Sequence, residues 1–178
     1  KSWKMVKIHD KFSDPCRNAK IHKILPHVYF PECEYSLWVD GSVRVVFPFD
    51  MERLIQIYLK NSDIAVFKHS ERKCIYDEFK ICAERKLDDI NKMKNQIESY
   101  QQQGYPKNNG LSECSVILRR HTQKIKEFNE AWWSEIEKNS RRDQLSFDFV
   151  RHKLGIEVSY FAGSLRAENF LFNRGDHL

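Results

Sequence analysis

Arg17, Lys20 and Lys23 recur at three-residue spacing, which on a 3.6-residue wheel gathers them within about a third of a turn. Cations so grouped can meet an anionic ligand, with Arg adding a planar fork for oxyanions; the same spacing also describes a solvated helix face. Asp40 closes the run YSLWVD, which puts an acid at a strand end, and Asp40-Gly41 is equally an ordinary hairpin turn. In SRRDQLSF, Asp143 and Gln144 lie at a helix start, where a carboxylate and an amide can project into a cleft; Asp in a first turn also simply complements the helix dipole. His69, Arg72, Tyr76 and Glu78 follow the apolar run IAVF, and Arg119 and His121 follow a second such run. Loops after strand ends bind ligands in open α/β sheets, although salt-bridged structural loops look the same in sequence. Trp132 and Trp133 can stack on sugar rings; Trp132 shares helical spacing with Phe128 and Ile136 and reads as core, leaving Trp133 the freer candidate.

The elements that must hold these residues can be read from local pattern. A strand is expected at Met5–Ile8, and Ser13-Asp14-Pro15 starts a helix that ends before Pro26, with Ile21, Ile24 and Leu25 as its apolar stripe. The segment YSLWVDGSVRVVF is a strand interrupted at Asp40-Gly41, Asp50 caps a helix through Leu54, Ile57 and Tyr58, and Ile64–Phe67 is a buried strand. Residues 71–104 read as a polar helical excursion ending at Gly104. A strand at Ser115–Leu118 and helices from about Thr122 and from Arg142 to Gly155 follow. The β, α, β alternation suggests a parallel-sheet core.

With 178 residues, 41% of them hydrophobic and 13% aromatic, the chain can build one sizeable core. The formal charge of +5 contains no long single-sign run; it favours an anionic ligand, while the absence of a nucleic-acid motif or an interleaved basic-aromatic run argues against nucleic acid as a partner. Cys16, Cys33, Cys74, Cys82 and Cys114 show no paired C-x-x-C spacing and read mostly as buried thiols of a reducing compartment. No segment approaches the roughly 20 apolar residues of a membrane span, and the start lacks the apolar run of a signal peptide.

Four segments, RNAKIHKILPHVYFPECEYSLWVDGS, HSERKCIYDEF, GYPKNNGLSECSVILRRH and WWSEIEKNSRRDQLSFDFV, resemble in their order and spacing a glycosyltransferase-like family. That family includes plant mucilage-type hexosyltransferase-like proteins and bacterial cell-surface polysaccharide proteins. The resemblance runs over roughly residues 3–155, leaving 156–178 as a tail within one domain, 1–178. It implies a GT-A-like, Rossmann-like α/β fold with a mostly parallel sheet flanked by helices. The fold would be N-terminally incomplete, because nothing corresponds to the strand-helix-strand segment that opens such domains.

The resemblance further implies transfer of a hexose from a nucleotide diphosphate sugar, uridine-linked, to a glycan or polysaccharide acceptor. Asp40 stands where such enzymes place the first carboxylate of an Asp-x-Asp motif that holds Mn²⁺ or Mg²⁺, with Ser42 in the third position and His177 in the tail as an added ligand. Arg17, Lys20 and Lys23 would stabilise the diphosphate, and Asp143 and Gln144 would orient the sugar. His69, Arg72, Tyr76, Glu78, Arg119, His121 and Trp133 would be acceptor or sugar contacts. The setting expected is cytoplasmic, including the periphery of a membrane, or the Golgi lumen in a plant. A catalytically silent glycan-binding or scaffolding module of the same fold is the alternative, supported by Ser42 and the absent opening segment.

Overall fold

The computed structural model describes residues 5–6, 10–46, 48–166 and 171–174. The strand expected at Met5–Ile8 falls partly outside these residues, and Met5 and Val6 belong to no strand. Helix α1 spans Pro15–Ile24, with Pro15 in its first turn and the Asp14 carboxylate accepting from the Cys16 N–H at 2.9 Å. Its stripe of Ile21, Ile24 and Leu25 is buried. A short helix α2, Pro26–Tyr29, leads to strand β1, Tyr35–Val39.

At Asp40-Gly41 the chain turns, the Val43 N–H donating to the Asp40 carbonyl at 2.9 Å. The turn closes no hairpin. Strand β2, Val43–Val45, pairs instead with β6, Phe172–Arg174, in a separate two-stranded sheet. Helix α3, Met51–Tyr58, is capped by Asp50 as expected and leads to β3, Ile64–Lys68.

The excursion after β3 is two helices, α4 at Ile75–Glu84 and α5 at Ile90–Gln102. They are separated where Lys86 takes a positive φ of 50° and the Asp89 side chain accepts from the Lys92 N–H. The excursion is no mere surface appendage: Met93, Ile97 and Tyr100 are buried in the main core. Gly104, with φ at 79°, turns the chain out of α5 as a helix stop should.

Strand β4, Ser112–Arg120, lies between β1 and β3 and runs antiparallel to both; β5, Ser159–Tyr160, adds parallel to β3, giving the order β1-β4-β3-β5. The expected mostly parallel sheet is therefore corrected to a mixed one. The reason lies in the excursion, which leaves and re-enters at the same end of the sheet: His69, just past β3, donates its N–H to the carbonyl of Leu111, just before β4, at 2.8 Å. A crossover delivers a parallel strand only if it carries the chain to the opposite end.

Both faces of this sheet are covered, which is why IAVF is continuously apolar rather than alternating. Ile64, Val66 and Ile117 face a core with α1, α4 and α5, while Ala65, Phe67, Val116 and Leu118 face a second cluster with Leu54 of α3, Phe161 and Phe172. Helix α6, Gln123–Lys138, starts at the Thr122 cap and buries Ile125, Phe128, Trp132 and Ile136 at helical spacing. Helix α7, Asp143–Lys153, is pinned to the start of β4 by Asp148, which accepts from the Ser112 N–H at 2.6 Å and from its hydroxyl at 2.9 Å. Among the described residues no helix is long and apolar enough to cross a membrane.

Candidate functional site

Three elements converge just beyond the end of β1. The β-strand period places Trp38 and Asp40 on the same side of the chain, and the Trp38 Nε1–H donates to Asp40 Oδ1 at 2.5 Å. The Asp40 N–H donates to the Ser115 carbonyl at 2.8 Å, holding this corner against β4. From α1, Lys23 Nζ reaches Asp40 Oδ1 at 3.2 Å and Asp143 Oδ2 at 2.8 Å, and it lies 5.9 Å from the centre of the Trp38 ring. Lys20 Nζ meets the other Asp143 oxygen at 2.7 Å. Four of the sequence-predicted residues thus form one alternating cluster, Asp40, Lys23, Asp143 and Lys20.

The first turn of α7 is held by the Asp143 carbonyl, which accepts from Trp132 Nε1 at 3.1 Å and from the Ser146 hydroxyl at 3.2 Å. The positive end of α7 also favours a carboxylate there. Burial pushes the Asp143 pKa up, but Lys20 and Lys23 overcome it and hold the carboxyl well below the usual carboxylate range. Burial likewise opposes the charge of Lys23, yet Asp143 and then Asp40 raise its pKa above the ordinary lysine value. The cluster is closed on one side and open on the other: the side chains of Lys23 and Asp143 are 4% and 8% exposed, that of Asp40 34%. Next to Asp143, Gln144 Nε2 is enclosed and has no hydrogen-bond partner within the protein. Ser42 lies in the turn after Asp40.

Arg17 does not join the cluster. Its guanidinium donates to the carbonyls of Glu137 and Asn139 at the end of α6, both at 3.2 Å, and lies 3.6 Å from Asp14. Arg119 lies apart from it too: it is fully buried, donating from NH1 to the Ile24 carbonyl at 3.3 Å and to Asn129 Oδ1 at 3.0 Å, and from NH2 to the Lys23 carbonyl at 2.5 Å. It clamps the last turn of α1. His121 bridges the Cys33 carbonyl and the Ser36 hydroxyl, each at 2.8 Å, and so ties β4 to the approach of β1. Trp133, expected to be free for stacking, is 6% exposed and packs 5.6 Å from the Phe12 ring. His177 lies outside the described residues.

The loop after β3 forms its own network. Arg72 Nε meets Glu78 Oε2 at 2.6 Å, its NH2 lies 2.8 Å from His69 Nε2, and its NH1 lies 3.1 Å from Glu71. His69 Nδ1 receives the N–H groups of Glu71 and Arg72; burial, then Arg72, lowers its pKa below the ordinary histidine value. His69 and Glu78 are buried behind Arg72. Arg72 itself lines an open groove of about 470 Å³ with Lys73, Asp77, Lys80 and Asn108. Tyr76, whose hydroxyl donates to the Tyr105 carbonyl at 2.7 Å, lines an adjoining groove of about 310 Å³. Burial disfavours the charge of Arg142, but Asp143, then Cys82 and Glu78, raise its pKa above the ordinary arginine value.

The carboxylates do not fit a divalent cation as they stand. Asp40 Oδ1 and both Asp143 oxygens are already engaged by lysine ammoniums, and among the described residues no three His, Cys, Asp or Glu side chains converge as a metal-binding group. Thiol chemistry is disfavoured at Cys82 and Cys114, since burial, reinforced by Glu78, pushes Cys82 up to about 11, and burial raises Cys114 well above its ordinary value. Sequence reasoning missed Trp38 as the group that aims Asp40; the i, i+2 spacing of Trp and Asp in a strand was the available signal.

The family model described as TOD1/MUCI70, glycosyltransferase-like domain, matches residues 1–170. The chain is similar to the probable hexosyltransferase MUCI70 of Arabidopsis thaliana, 31% identical over 169 residues that cover 89% of this chain and 29% of that protein. It is also similar to the alkaline ceramidase TOD1 of the same plant, 27% identical over 173 residues covering 88% of this chain and 37% of that protein. The chain therefore spans about a third of the length of these relatives. No solved structure gives a significant match. A mixed α/β domain whose helix cations meet strand-end and helix-start acids, matched over nearly its whole length, belongs to the TOD1/MUCI70 glycosyltransferase-like family.

Proposed function

We propose that this domain transfers a hexose from a uridine diphosphate sugar to a glycan acceptor. The observation that carries the reading is the convergence of Lys20 and Lys23 with Asp40 and Asp143 at the tip of β1. Departure of a nucleoside diphosphate leaves negative charge on the leaving oxygen while the sugar becomes oxocarbenium-like, so fixed cations beside the bond lower the barrier. The ammoniums would face the diphosphate, and the Asp143 carboxylate with the unpartnered amide of Gln144 would orient sugar hydroxyls. The groove at Arg72, Asp77 and Asn108 would seat the acceptor, its mixed polar lining suiting hydroxyl groups. The relative named as a probable hexosyltransferase supports the choice of donor class.

A catalytically silent glycan-binding module is the second reading. It is favoured by the fact that each acid of the cluster already has a cation within the protein. Release of uridine diphosphate from a panel of uridine diphosphate hexoses, with and without plant polysaccharide acceptors, separates the two. The transferase reading expects release stimulated by at least one acceptor. Glycan-array binding without any donor turnover would replace it with the binding module. Parallel incubation with ceramide checks the hydrolytic activity named for the second relative.

A further inference from the structure

We propose that Lys23 is itself the cation that engages the donor's diphosphate, so that donor binding at this site needs no divalent metal. The inference rests on the donor reading above and concerns how the anion is held.

Its first support is position. Lys23 Nζ lies between Asp40 Oδ1 at 3.2 Å and Asp143 Oδ2 at 2.8 Å. A metal ligating both carboxylates would have to occupy the volume this ammonium fills, since metal–oxygen bonds of about 2.1 Å bring both oxygens to one centre. The ammonium is held by both acids, and the helix turn that carries it is fixed from behind: Arg119, buried and tethered to Asn129, grips the Lys23 and Ile24 carbonyls. A metal placed beside the ammonium instead would bring two cations within a few ångströms in a poorly solvated corner.

Charge balance is the second support. Two ammoniums and two carboxylates leave the cluster formally neutral, and the third position of the motif carries Ser42 rather than a second strand-end acid. The third support is an asymmetry between the acids. Asp143 is buried and holds both lysines, whereas Asp40 is the more exposed and, besides the Trp38 indole, holds just one of them, Lys23. An arriving diphosphate therefore exchanges with Asp40, taking over the Lys23 proton that Asp40 now accepts, while Asp143 keeps the ammoniums in place. In this arrangement Asp40 competes with the ligand, opposite to the role of a metal ligand.

That opposition makes the sign of one substitution decisive. Isothermal titration of the protein with inorganic pyrophosphate and with uridine diphosphate, in chelator and again in millimolar Mn²⁺, is the experiment. Expected are binding in chelator, little change with Mn²⁺, affinity raised about three- to tenfold by Asp40→Asn, and affinity lowered roughly tenfold or more by Lys23→Met. Because Lys23→Met leaves two acids under-compensated, the double variant Lys23→Met/Asp40→Asn, checked by circular dichroism, repeats the loss without that burden. Binding that appears only with Mn²⁺ and disappears in Asp40→Asn would overturn the inference while leaving the transferase reading intact. Failure of both probes to bind under either condition would remove the donor site altogether.

Discussion

Arg119 of β4 donates from its NH2 group to the backbone carbonyl of Lys23, 96 residues away in sequence, so the strand at the centre of the sheet grips the helix turn that carries the site's most buried cation. The guanidinium faces no carboxylate in this grip; its partners are two helix-end carbonyls and the Asn129 amide oxygen. Such carbonyls, otherwise left over at a helix terminus, are natural acceptors for a cation.

Replacing Arg119 by Met is expected to lower stability by about 3 kcal/mol, because three buried acceptors lose their donor. Arg119→Lys keeps the charge but cannot reach all three, and should cost roughly half as much. Urea denaturation midpoints measure both. A Met variant as stable as the parent would show that the clamp is dispensable.

Asp143→Asn removes the acid shared by Lys20 and Lys23 and should cost about 3 kcal/mol near neutral pH, as breaking a buried ion pair generally does. The folded-state pKa of Asp143 lies below its unfolded value. Its stabilisation is therefore present above about pH 4 and is lost as pH falls further. The stability gap between the parent and the variant should begin to narrow below about pH 4, read from denaturation curves at pH 7 and pH 3.

His27, His69 and His121 all have pKa values lowered chiefly by burial. A base depressed in the folded state takes up protons on unfolding, so stability is full above about pH 6.5 and falls as the pH drops below it. Thermal melts at pH 7.5 and pH 5.5 should differ, with the difference reduced in His69→Gln. Indistinguishable pH dependence in that variant would mean that His69 protonates as readily in the folded protein as in the unfolded chain.

Arg72→Gln is expected to raise the acceptor KM about tenfold and to leave uridine diphosphate affinity within twofold, since the guanidinium lines the groove beside Asp77 and Asn108 while its Glu78 partner lies behind it. Initial rates at varied acceptor concentration, together with diphosphate titration, separate the two. A parallel loss of both affinities would instead mean that the loop network also supports the donor site.

The local chemistry of this chain was legible where it depends on neighbours in sequence. Asp14-Pro15 and Thr122 mark helix starts, the stripe Ile125, Phe128, Trp132 and Ile136 marks a buried face, and the spacing of Lys20 and Lys23 puts both ammoniums on one side of α1. These are periodic properties, set by the 3.6-residue turn and by capping. Trp38 and Asp40 share a side of β1 for the equally local reason that strands alternate.

What tertiary structure alone decided is which of these prepared faces meet. The direction of β4 depends on where a 43-residue excursion re-enters the sheet, an outcome no local pattern encodes. Arg17 and Arg119 look alike as candidate ligand contacts, yet one caps the end of α6 and the other is enclosed under α1. Asp143 became the partner of Lys20 and Lys23 because Asp148 pins α7 to β4, bringing groups more than a hundred residues apart to within 3 Å. Sequence spacing presents a side chain on a face; its partner is chosen by the packing of distant segments, where burial makes an unmatched charge too costly to leave alone.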